Sequence, residues 1–289
     1  MKILITGANG SIGSDLVSSF SEKHKVYAIY RSSNKVVKKL KNKNITWIKQ
    51  DIKSKIKLKS KIDVLIHCAF IHEFSKKKTY KDYVSSNIIG LKNIIEFANK
   101  KKIKSFIYLS SVTIYGEIKE DTLIDNNKFI NPSILGASKI LSEKMIEKQK
   151  FNYLNLRLPG VISYLNNDYR RPWLNNIIYN LKIGKKITVF NSNLYFNNII
   201  DTVEIFNFIN YVVKNKLKSG TLNLSATKPM QIRKMINFLK EKISSKSKIN
   251  FDNKKKNHFT ISLNKLLKNY NYKTSSTKEI LERCIKSYK

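Results

Sequence analysis

Cysteine is scarce in this sequence: Cys68 and Cys284 are the two thiols among 289 residues. Two cysteines cannot form a disulfide framework, and no Cys or His spacing typical of a metal site is present, so we expect reduced thiols and no metal. Nine glycines and four prolines exclude a collagen-like or low-complexity chain. With 42% hydrophobic residues, the length suits one large domain or two joined ones with a proper core.

Long hydrophobic runs are also missing. No apolar stretch approaches the roughly 20 residues that a transmembrane helix requires. The first five residues run straight into Thr6 and Gly7, which leaves no hydrophobic region as long as that of a secretory signal. We therefore expect a cytoplasmic protein with no membrane partner.

Acidic residues and arginine are few. The chain has 56 basic and 20 acidic residues, a net charge of +36, yet only six of the basic residues are Arg. A nucleic-acid reader favours Arg for bidentate contacts and presents it on a recognisable module, which is not found here. We expect scattered lysines on solvated faces, no specific nucleic-acid partner, and attraction for nucleotide diphosphates. The alternative is a polyanion-binding protein whose affinity for any DNA falls steeply with salt.

Strand and helix patterns alternate over the first 160 residues. Apolar runs predict strands at 2–6, 25–30, 45–49, 62–67, 105–109 and 153–158. Helical spacing predicts helices at 11–24, 80–101 and 133–150. This alternation predicts an α/β fold, a Rossmann-like doubly wound parallel sheet. The rhythm breaks after Gly160, so we expect a dinucleotide-binding domain at 1–160 and a mainly substrate-binding domain at 161–289, with part of 187–214 returning to the first.

A glycine-rich turn follows the first strand and opens the first helix. Its sequence is Gly7-Ala8-Asn9-Gly10-Ser11-Ile12-Gly13. Gly7 permits the tight turn, Gly10 lets the backbone approach a pyrophosphate, and Gly13 allows close packing of helix on strand. The helix N-terminus would meet the phosphate charge. The turn therefore predicts a dinucleotide site that also includes Asn9, Ser11 and Ile12.

The spacing of these glycines resembles the extended short-chain dehydrogenase/reductases, the NAD-dependent epimerase/dehydratase family that modifies nucleotide sugars. The resemblance spans nearly the whole chain and continues through Asp51-Ile52, His67-Cys68-Ala69-Phe70, Asn87, Ser110 to Gly116, Gly136 to Lys139, and Arg157 to Val161. It implies a nucleotide-sugar substrate. It also implies further cofactor contacts from Asp51, Ile52, Cys68, Ala69, Phe70, Asn87, Lys139, Pro159 and Val161.

The end of the second strand indicates which dinucleotide binds. A carboxylate there would hold the ribose 2′-hydroxyl of NAD, whereas an Arg would accommodate a 2′-phosphate. The sequence has Arg31 and Ser32 at this place and no carboxylate before Lys35. We therefore expect NADP(H) to be favoured over NAD(H).

The catalytic pattern of the resembled family is incomplete here. That family places a Tyr four residues before a helical Lys, with a Ser or Thr beside it, and the Tyr acts as general acid or base. Lys139 and Ser111 match, but the Tyr position is Leu135, which cannot exchange a proton. One hypothesis is that Tyr115, a bound water or a substrate hydroxyl takes over. The alternative is a catalytically impaired NADP(H)-binding protein with a sensor or assembly role.

Other positions bear on the reaction and the assembly. The 4,6-dehydratases of the resembled family carry Asp-Glu directly after the strand-end hydroxyl, where this chain has Val112 and Thr113. This leaves 4-epimerisation, 4-keto reduction or oxidation without dehydration, and of these we expect an epimerase or a 4-keto reductase. Arg170 and Arg171 suit contacts with a nucleotide diphosphate. The helices at 80–101 and 133–150 predict a homodimer, since the family pairs them across a two-fold axis and they carry apolar residues on several sides, namely Ile88, Ile94, Ile134, Ile140 and Ile146.

Overall fold

The computed structural model describes residues 1–71, 79–165, 172–252 and 257–287. Its strands are β1 (Lys2–Thr6), β2 (Lys25–Tyr30), β3 (Ile45–Lys49), β4 (Val64–His67), β5 (Ser105–Ser111), β6 (Thr122–Leu123), β7 (Asn152–Leu158), β8 (Gly160–Ile162), β9 (Ile187–Val189), β10 (Tyr195–Phe196), β11 (Ile199–Asp201), β12 (Gly220–Asn223), β13 (Met230–Gln231), β14 (Ile249–Phe251) and β15 (Thr260–Ile261). Its helices are α1 (Ser11–Ser21), α2 (Lys35–Lys39), α3 (Tyr80–Tyr83), α4 (Gly90–Lys100), α5 (Ile134–Glu147), α6 (Pro172–Lys182), α7 (Thr202–Lys214), α8 (Ile232–Ile243), α9 (Asn264–Tyr270) and α10 (Thr277–Ser287). A π-helical turn, Val84–Ile89, joins α3 to α4, and a 3₁₀ turn, Val112–Tyr115, follows β5.

The large sheet has seven parallel strands in the order β12-β7-β5-β4-β1-β2-β3. Its central strands read as continuous apolar runs because helices cover both faces. The strand order reverses beside β1, and in open sheets of this kind ligands bind at the carboxyl ends of the strands at that point. The predicted doubly wound parallel sheet is confirmed.

The described residues form four hydrophobic clusters, and the two largest contain different elements. In the larger one, α7 packs against α1, and β12 extends the sheet beside β7, so both belong with the large sheet. In the smaller one, α6, α8 and α10 enclose apolar side chains, and β9 pairs with β14. Within 187–214, therefore, β9 lies in the smaller unit and α7 in the larger one, while β12 comes after that range.

The described residues contain no helix long and apolar enough to cross a membrane. They also contain no group of three or more His, Cys, Asp and Glu side chains that could hold a metal ion.

Candidate active site

The glycine turn is pressed against the chain that leaves β4. A Cβ added at Gly7, whose φ is +64°, would lie 2.7 Å from the Cα of Ala69, and one added at Gly13 would lie 2.2 Å from the carbonyl oxygen of Gly7. Beneath the turn, Thr6 Oγ1 lies 2.7 Å from His67 Nδ1 and accepts a bond of 3.3 Å from the Ala69 N–H. The backbone between β1 and α1 is therefore held tightly. Because the glycines carry no side chains, a phosphate can approach the backbone N–H groups at the start of α1.

A cleft of about 450 Å³ lies in front of this turn, at the ends of β2, β3 and β4. The structure brings thirteen predicted cofactor residues to its walls: Gly7, Asn9, Gly10, Ser11, Ile12, Gly13, Arg31, Ser32, Asp51, Ile52, Cys68, Ala69 and Phe70. Asn9 Nδ2 donates to the Ser32 carbonyl at 2.6 Å, so the segment after β2 is fastened to the glycine turn. Analysis of the sequence did not identify five other wall residues, Ile29, Tyr30, Gln50, Ile71 and Ser86, which carry no motif. The glycine cradle and the helix N-terminus fit a dinucleotide.

A smaller cavity of about 160 Å³ continues from this cleft toward the ends of β5 and β7. Ser111 and Lys139 line it together with Leu135, Pro159 and Val161. The hydroxyl of Ser111 and the amine of Lys139, both predicted to be catalytic, therefore lie in one cavity with Leu135. Ser111 Oγ accepts a hydrogen bond of 3.2 Å from the Thr113 N–H, which leaves its own O–H to donate.

Helix α5 carries both Leu135 and Lys139, and its start is fixed by packing. Ser133 caps it by accepting from the Gly136 N–H at 3.3 Å. A Cβ at Gly136 would lie 2.4 Å from the carbonyl oxygen of Thr113, so the helix is packed directly on the 3₁₀ turn that contains Thr113. Because residues four apart share a helix face, Leu135 and Lys139 both point into the cavity.

Lys139 is buried, and its surroundings are mostly apolar. Its Nζ donates to the carbonyl oxygen of Leu109 at 2.6 Å and lies 3.4 Å from the ring centre of Phe70. Burial lowers the pKa of Lys139 from 10.5 to about 7, although the nearby Glu143 carboxylate and Cys68 act in the opposite direction. The amine thus changes its charge near neutral pH.

Leu135 forms part of the wall of the small cavity. It is 1% exposed and packs in an apolar cluster with Ile71 and Tyr83, with Phe70 at the cluster's edge. A hydrocarbon side chain therefore stands where the resembled family has its Tyr. Leu135 removes water from around Lys139 but transfers no proton itself.

The structure does not bring Tyr115 to this cavity. Tyr115 is fully buried, donates from its hydroxyl to Asn223 Oδ1 at 2.9 Å and accepts from Arg157 Nη1 at 2.9 Å. Burial raises the pKa of Tyr115, although Arg157 lowers it. The hypothesis that Tyr115 replaces the missing tyrosine needs a phenol that reaches substrate, and the 3₁₀ turn points this one into the protein interior instead.

Asn87, predicted to contact the cofactor, also lies away from the two cavities. Its Oδ1 accepts from the Ile71 N–H at 2.9 Å, and its Nδ2 lies 3.4 Å from the carbonyl oxygen of Ile71. Asn87 therefore fixes the chain that follows β4. Arg170 and Arg171 lie outside the described residues.

A buried ion pair beneath the site was missed by the sequence analysis. Arg157 Nη2 lies 2.8 Å from Glu143 Oε2, and both side chains are buried. Ser110 Oγ donates to Glu143 Oε1 at 2.5 Å, so the pair joins α5, β7 and β5. The available signal was an Arg inside an apolar strand, because charges within a core are almost always paired.

Comparison with known proteins gives one family match and a set of similar structures and sequences. Residues 3–224 match the model of the NAD dependent epimerase/dehydratase family. The solved structure of the Bordetella bronchiseptica enzyme WbmG in complex with NAD superimposes with a TM-score of 0.81, covering 100% of this chain and 94% of that one at 15% identity. A likeness at this identity shows a shared fold.

Two relatives show similarity in sequence. A dTDP-D-glucose 4,6-dehydratase of Dictyostelium discoideum is 33% identical over 193 residues, which are 58% of this chain and 44% of that protein. The chain therefore matches less than half the length of that relative. YtcB of Bacillus subtilis (strain 168), named as an uncharacterized UDP-glucose epimerase, is 26% identical over 279 residues, 88% of this chain and 86% of that one.

Lys139 should make the free energy of unfolding depend on pH. Its pKa is about 7 in the folded protein and 10.5 as the ordinary value, so between pH 7 and 9 the unfolded chain holds a proton that the folded protein lacks. The free energy of unfolding then rises with pH by about 1.4 kcal/mol per pH unit from this group. We expect Lys139→Met to be more stable than the unmodified protein at pH 6, and the difference to shrink toward pH 9.

Urea unfolding of both proteins from pH 6 to 9 measures this difference. Lys144→Met is the matched control, because Lys144 lies exposed on the same helix and pairs with Glu147. Its curve should run parallel to that of the unmodified protein. Parallel curves for Lys139→Met as well would contradict a lowered pKa for Lys139.

Proposed function

The chain belongs to the NAD dependent epimerase/dehydratase family, and from that premise we propose that it is an NAD(P)-dependent epimerase or 4-keto reductase of a nucleotide-activated sugar. The observation that carries the proposal is the meeting of the glycine cradle with Ser111 and Lys139 along two adjoining cavities. A nicotinamide cofactor in the larger cleft would supply the hydride chemistry. The 4,6-dehydratase and the UDP-glucose epimerase among its relatives agree with this class of substrate.

The residues after Ser111 favour epimerisation or reduction over dehydration. Loss of water from a sugar needs side chains that move a proton and the departing hydroxyl. Val112 is aliphatic, and Thr113 Oγ1 is buried with no hydrogen-bond partner in the described part of the chain. Neither side chain can act as acid or base there.

Lys139 is the group that we assign to proton exchange in place of a phenol. Two titratable side chains line the small cavity among the described residues, Cys68 and Lys139. Burial raises the pKa of Cys68 to about 12, whereas the pKa of Lys139 is lowered to about 7. A general base works best with a pKa near the working pH, so the amine takes the proton and Ser111 orients the sugar oxygen.

The second candidate function is a catalytically impaired NADP(H)-binding protein with a sensor or assembly role. Leu135 favours it, because the leucine closes the wall from which a proton would otherwise be exchanged. Leu135 is not itself a wall residue of the cofactor cleft, although it packs in one cluster with Ile71 and Phe70, which are. Such a protein would bind the same dinucleotide and turn over no sugar.

We expect NADPH to bind more tightly than NADH, by about tenfold. Arg31 and Ser32 are exposed at the rim of the cleft, where no carboxylate follows β2. Calorimetric titration of both cofactors measures the difference, and Arg31→Ala should narrow it because Arg pairs well with a phosphate. Lys35→Ala, a neighbouring basic residue outside the cleft walls, is the control. Equal affinities in the unmodified protein would show that the 2′-phosphate is not recognised.

Restoring the phenol should raise turnover. Leu135→Tyr places a ring beside a cavity of about 160 Å³, and a cavity of roughly 150 Å³ can hold benzene. General acid–base catalysis contributes roughly 10²- to 10⁴-fold, so we expect at least about tenfold faster hydride transfer to a 4-keto sugar with unchanged NADPH affinity. The substrate is chosen from UDP- and dTDP-linked sugars by thermal shift, since ligands that bind the folded state stabilise it.

Stopped-flow absorbance of the nicotinamide then compares variants. Lys139→Met should lose turnover in the unmodified background, whereas Tyr115→Phe should keep it, because Tyr115 lies outside the cavity. Activity abolished by Tyr115→Phe and unaffected by Lys139→Met would reverse the assignment of Lys139. Cofactor binding without turnover in every variant would support the second candidate function.

We also propose a homodimer through α3, α4 and α5. Ile94 and Ile146, expected at the interface, instead pack in the core. Ile134 remains exposed, and it is joined by Val84 and Leu141, each between 47% and 49% exposed. A patch of this kind on two adjacent helices is typical of an isologous contact.

Light scattering at micromolar concentration should report twice the mass of the chain. Leu141→Glu should give monomers, because a like-charged carboxylate on each copy would be buried without a partner. Ile183→Glu, at an exposed apolar position after α6, should leave the dimer intact. A monomeric unmodified protein would refute the proposal.

A further inference from the structure

The ring of Phe70 lies between the two cavities of the site. Phe70 lines both of them, together with Ser11, Ile12 and Cys68. The backbone beside it is fixed, because Asn87 bonds both the N–H and the carbonyl oxygen of Ile71. The ring can therefore leave its place by rotating about its own side-chain bonds, but not with the chain.

Lys139 is enclosed on the side where Phe70 lies. An ammonium group has three N–H donors, and one of them is used by the carbonyl oxygen of Leu109 at 2.6 Å. The ring centres of Phe70 and Tyr108 lie 3.4 Å and 4.5 Å from Nζ. Below pH 7, where the amine carries its proton, both aromatic rings hold the cation by cation–π attraction.

This enclosure leaves no room for a sugar hydroxyl on the amine from the Phe70 side. A hydroxyl that accepts from Nζ must come within about 3.2 Å, and the ring already lies in contact there. The larger cleft of about 450 Å³ is open, whereas the space beyond the ring is about 160 Å³. With the ring of Phe70 in this position, the larger cleft has room for one half of a dinucleotide, and the space beyond the ring is smaller.

We propose that Phe70 is a positioning residue that holds Lys139 away from the cofactor and makes the cleft select between a dinucleotide and its adenosine phosphate half. The adenosine phosphate half binds with the ring in place, and the nicotinamide half requires the ring to rotate off Lys139. The inference rests on the proposed function, because it takes the two cavities as one dinucleotide site.

The proposal predicts an affinity penalty confined to the dinucleotide. Binding of the whole molecule breaks the contact of Phe70 with Lys139, whereas binding of the adenosine phosphate half leaves it intact. Removing the ring removes this affinity penalty, because the contact with Lys139 no longer has to be broken when the dinucleotide binds. Pre-organising a binding site raises affinity in the same way. The loss of one buried cation–π contact corresponds to about tenfold in affinity.

The experiment titrates four ligands into the full chain by calorimetry at pH 6, where Lys139 carries its proton: NADPH with adenosine 2′,5′-bisphosphate, and NADH with AMP. Pairing each dinucleotide with its own half makes the result independent of any preference for a 2′-phosphate. Phe70→Ala should bind the preferred dinucleotide about tenfold more tightly, with the affinity of its half unchanged within about twofold. Phe70→Tyr, which keeps the ring, should behave like the unmodified protein.

Two further variants keep the test decisive. Phe129→Ala is the matched control, because that ring lies 5.3 Å from the Arg157 guanidinium and outside both cavities. If Phe70→Ala unfolds at too low a temperature, Phe70→Leu takes its place. Phe70→Leu should change the ratio of the dinucleotide affinity to the affinity of its half in the same direction.

An unchanged ratio of the two affinities in Phe70→Ala or Phe70→Leu overturns the role of Phe70 and leaves the proposed function standing. A weaker dinucleotide with an unaffected half overturns it as well, since the ring would then be a contact of the nicotinamide. If none of the four ligands binds any variant, the proposed function is wrong and the inference falls with it.

Discussion

The buried pair of Glu143 and Arg157 holds the site together. Two charges removed from water cost several kcal/mol each unless their partners satisfy them fully, and here the partners come from different elements. Arg157 donates to Glu143, to the Tyr115 hydroxyl and to the Asp125 carbonyl oxygen, while Ser110 donates to Glu143. Helix α5 can therefore sit on β5 and β7 in one place only, where the charges meet. The positions of Leu135 and Lys139 in the cavity wall depend on that placement of α5.

Helix α5 also places two opposite effects on the pKa of Lys139 close together. Glu143 is one turn after Lys139 and favours its ammonium form, whereas Leu135 is one turn before it and adds apolar surface. Burial has the larger effect, so the amine loses its proton near neutral pH. The net charge of +36 acts on Lys139 in the same direction as burial, but its effect is small because solvent and salt screen the surface lysines.

The parts of the fold predicted from the sequence are those in which one local pattern has one structural solution. The turn between β1 and α1 is the best example, since a side chain at Gly7 or Gly13 would collide with backbone. Helix α7 was not predicted, because its Val, Ile and Phe residues are also typical of strands. Helix α8 was missed although Ile232, Met235, Ile236 and Leu239 are spaced as one helical face and are buried together. Apolar residues at this spacing are typical of an amphipathic helix.

Site residues were harder to predict, because a motif gives the position of a residue along the chain and not the direction of its side chain. Tyr115 and Asn87 lie within motifs that border the cavities, yet both point into the interior and make structural hydrogen bonds. The direction depends on a 3₁₀ turn after β5 and a π-helical turn before α4, and neither turn has a sequence signature as strong as that of the glycine turn. The cradle for the phosphates is set by backbone contacts, while the chemistry depends on a few side chains around Lys139. Binding of a dinucleotide can therefore persist through substitutions that change the reaction, and Leu135, which lines the small cavity beside Lys139, is at such a position.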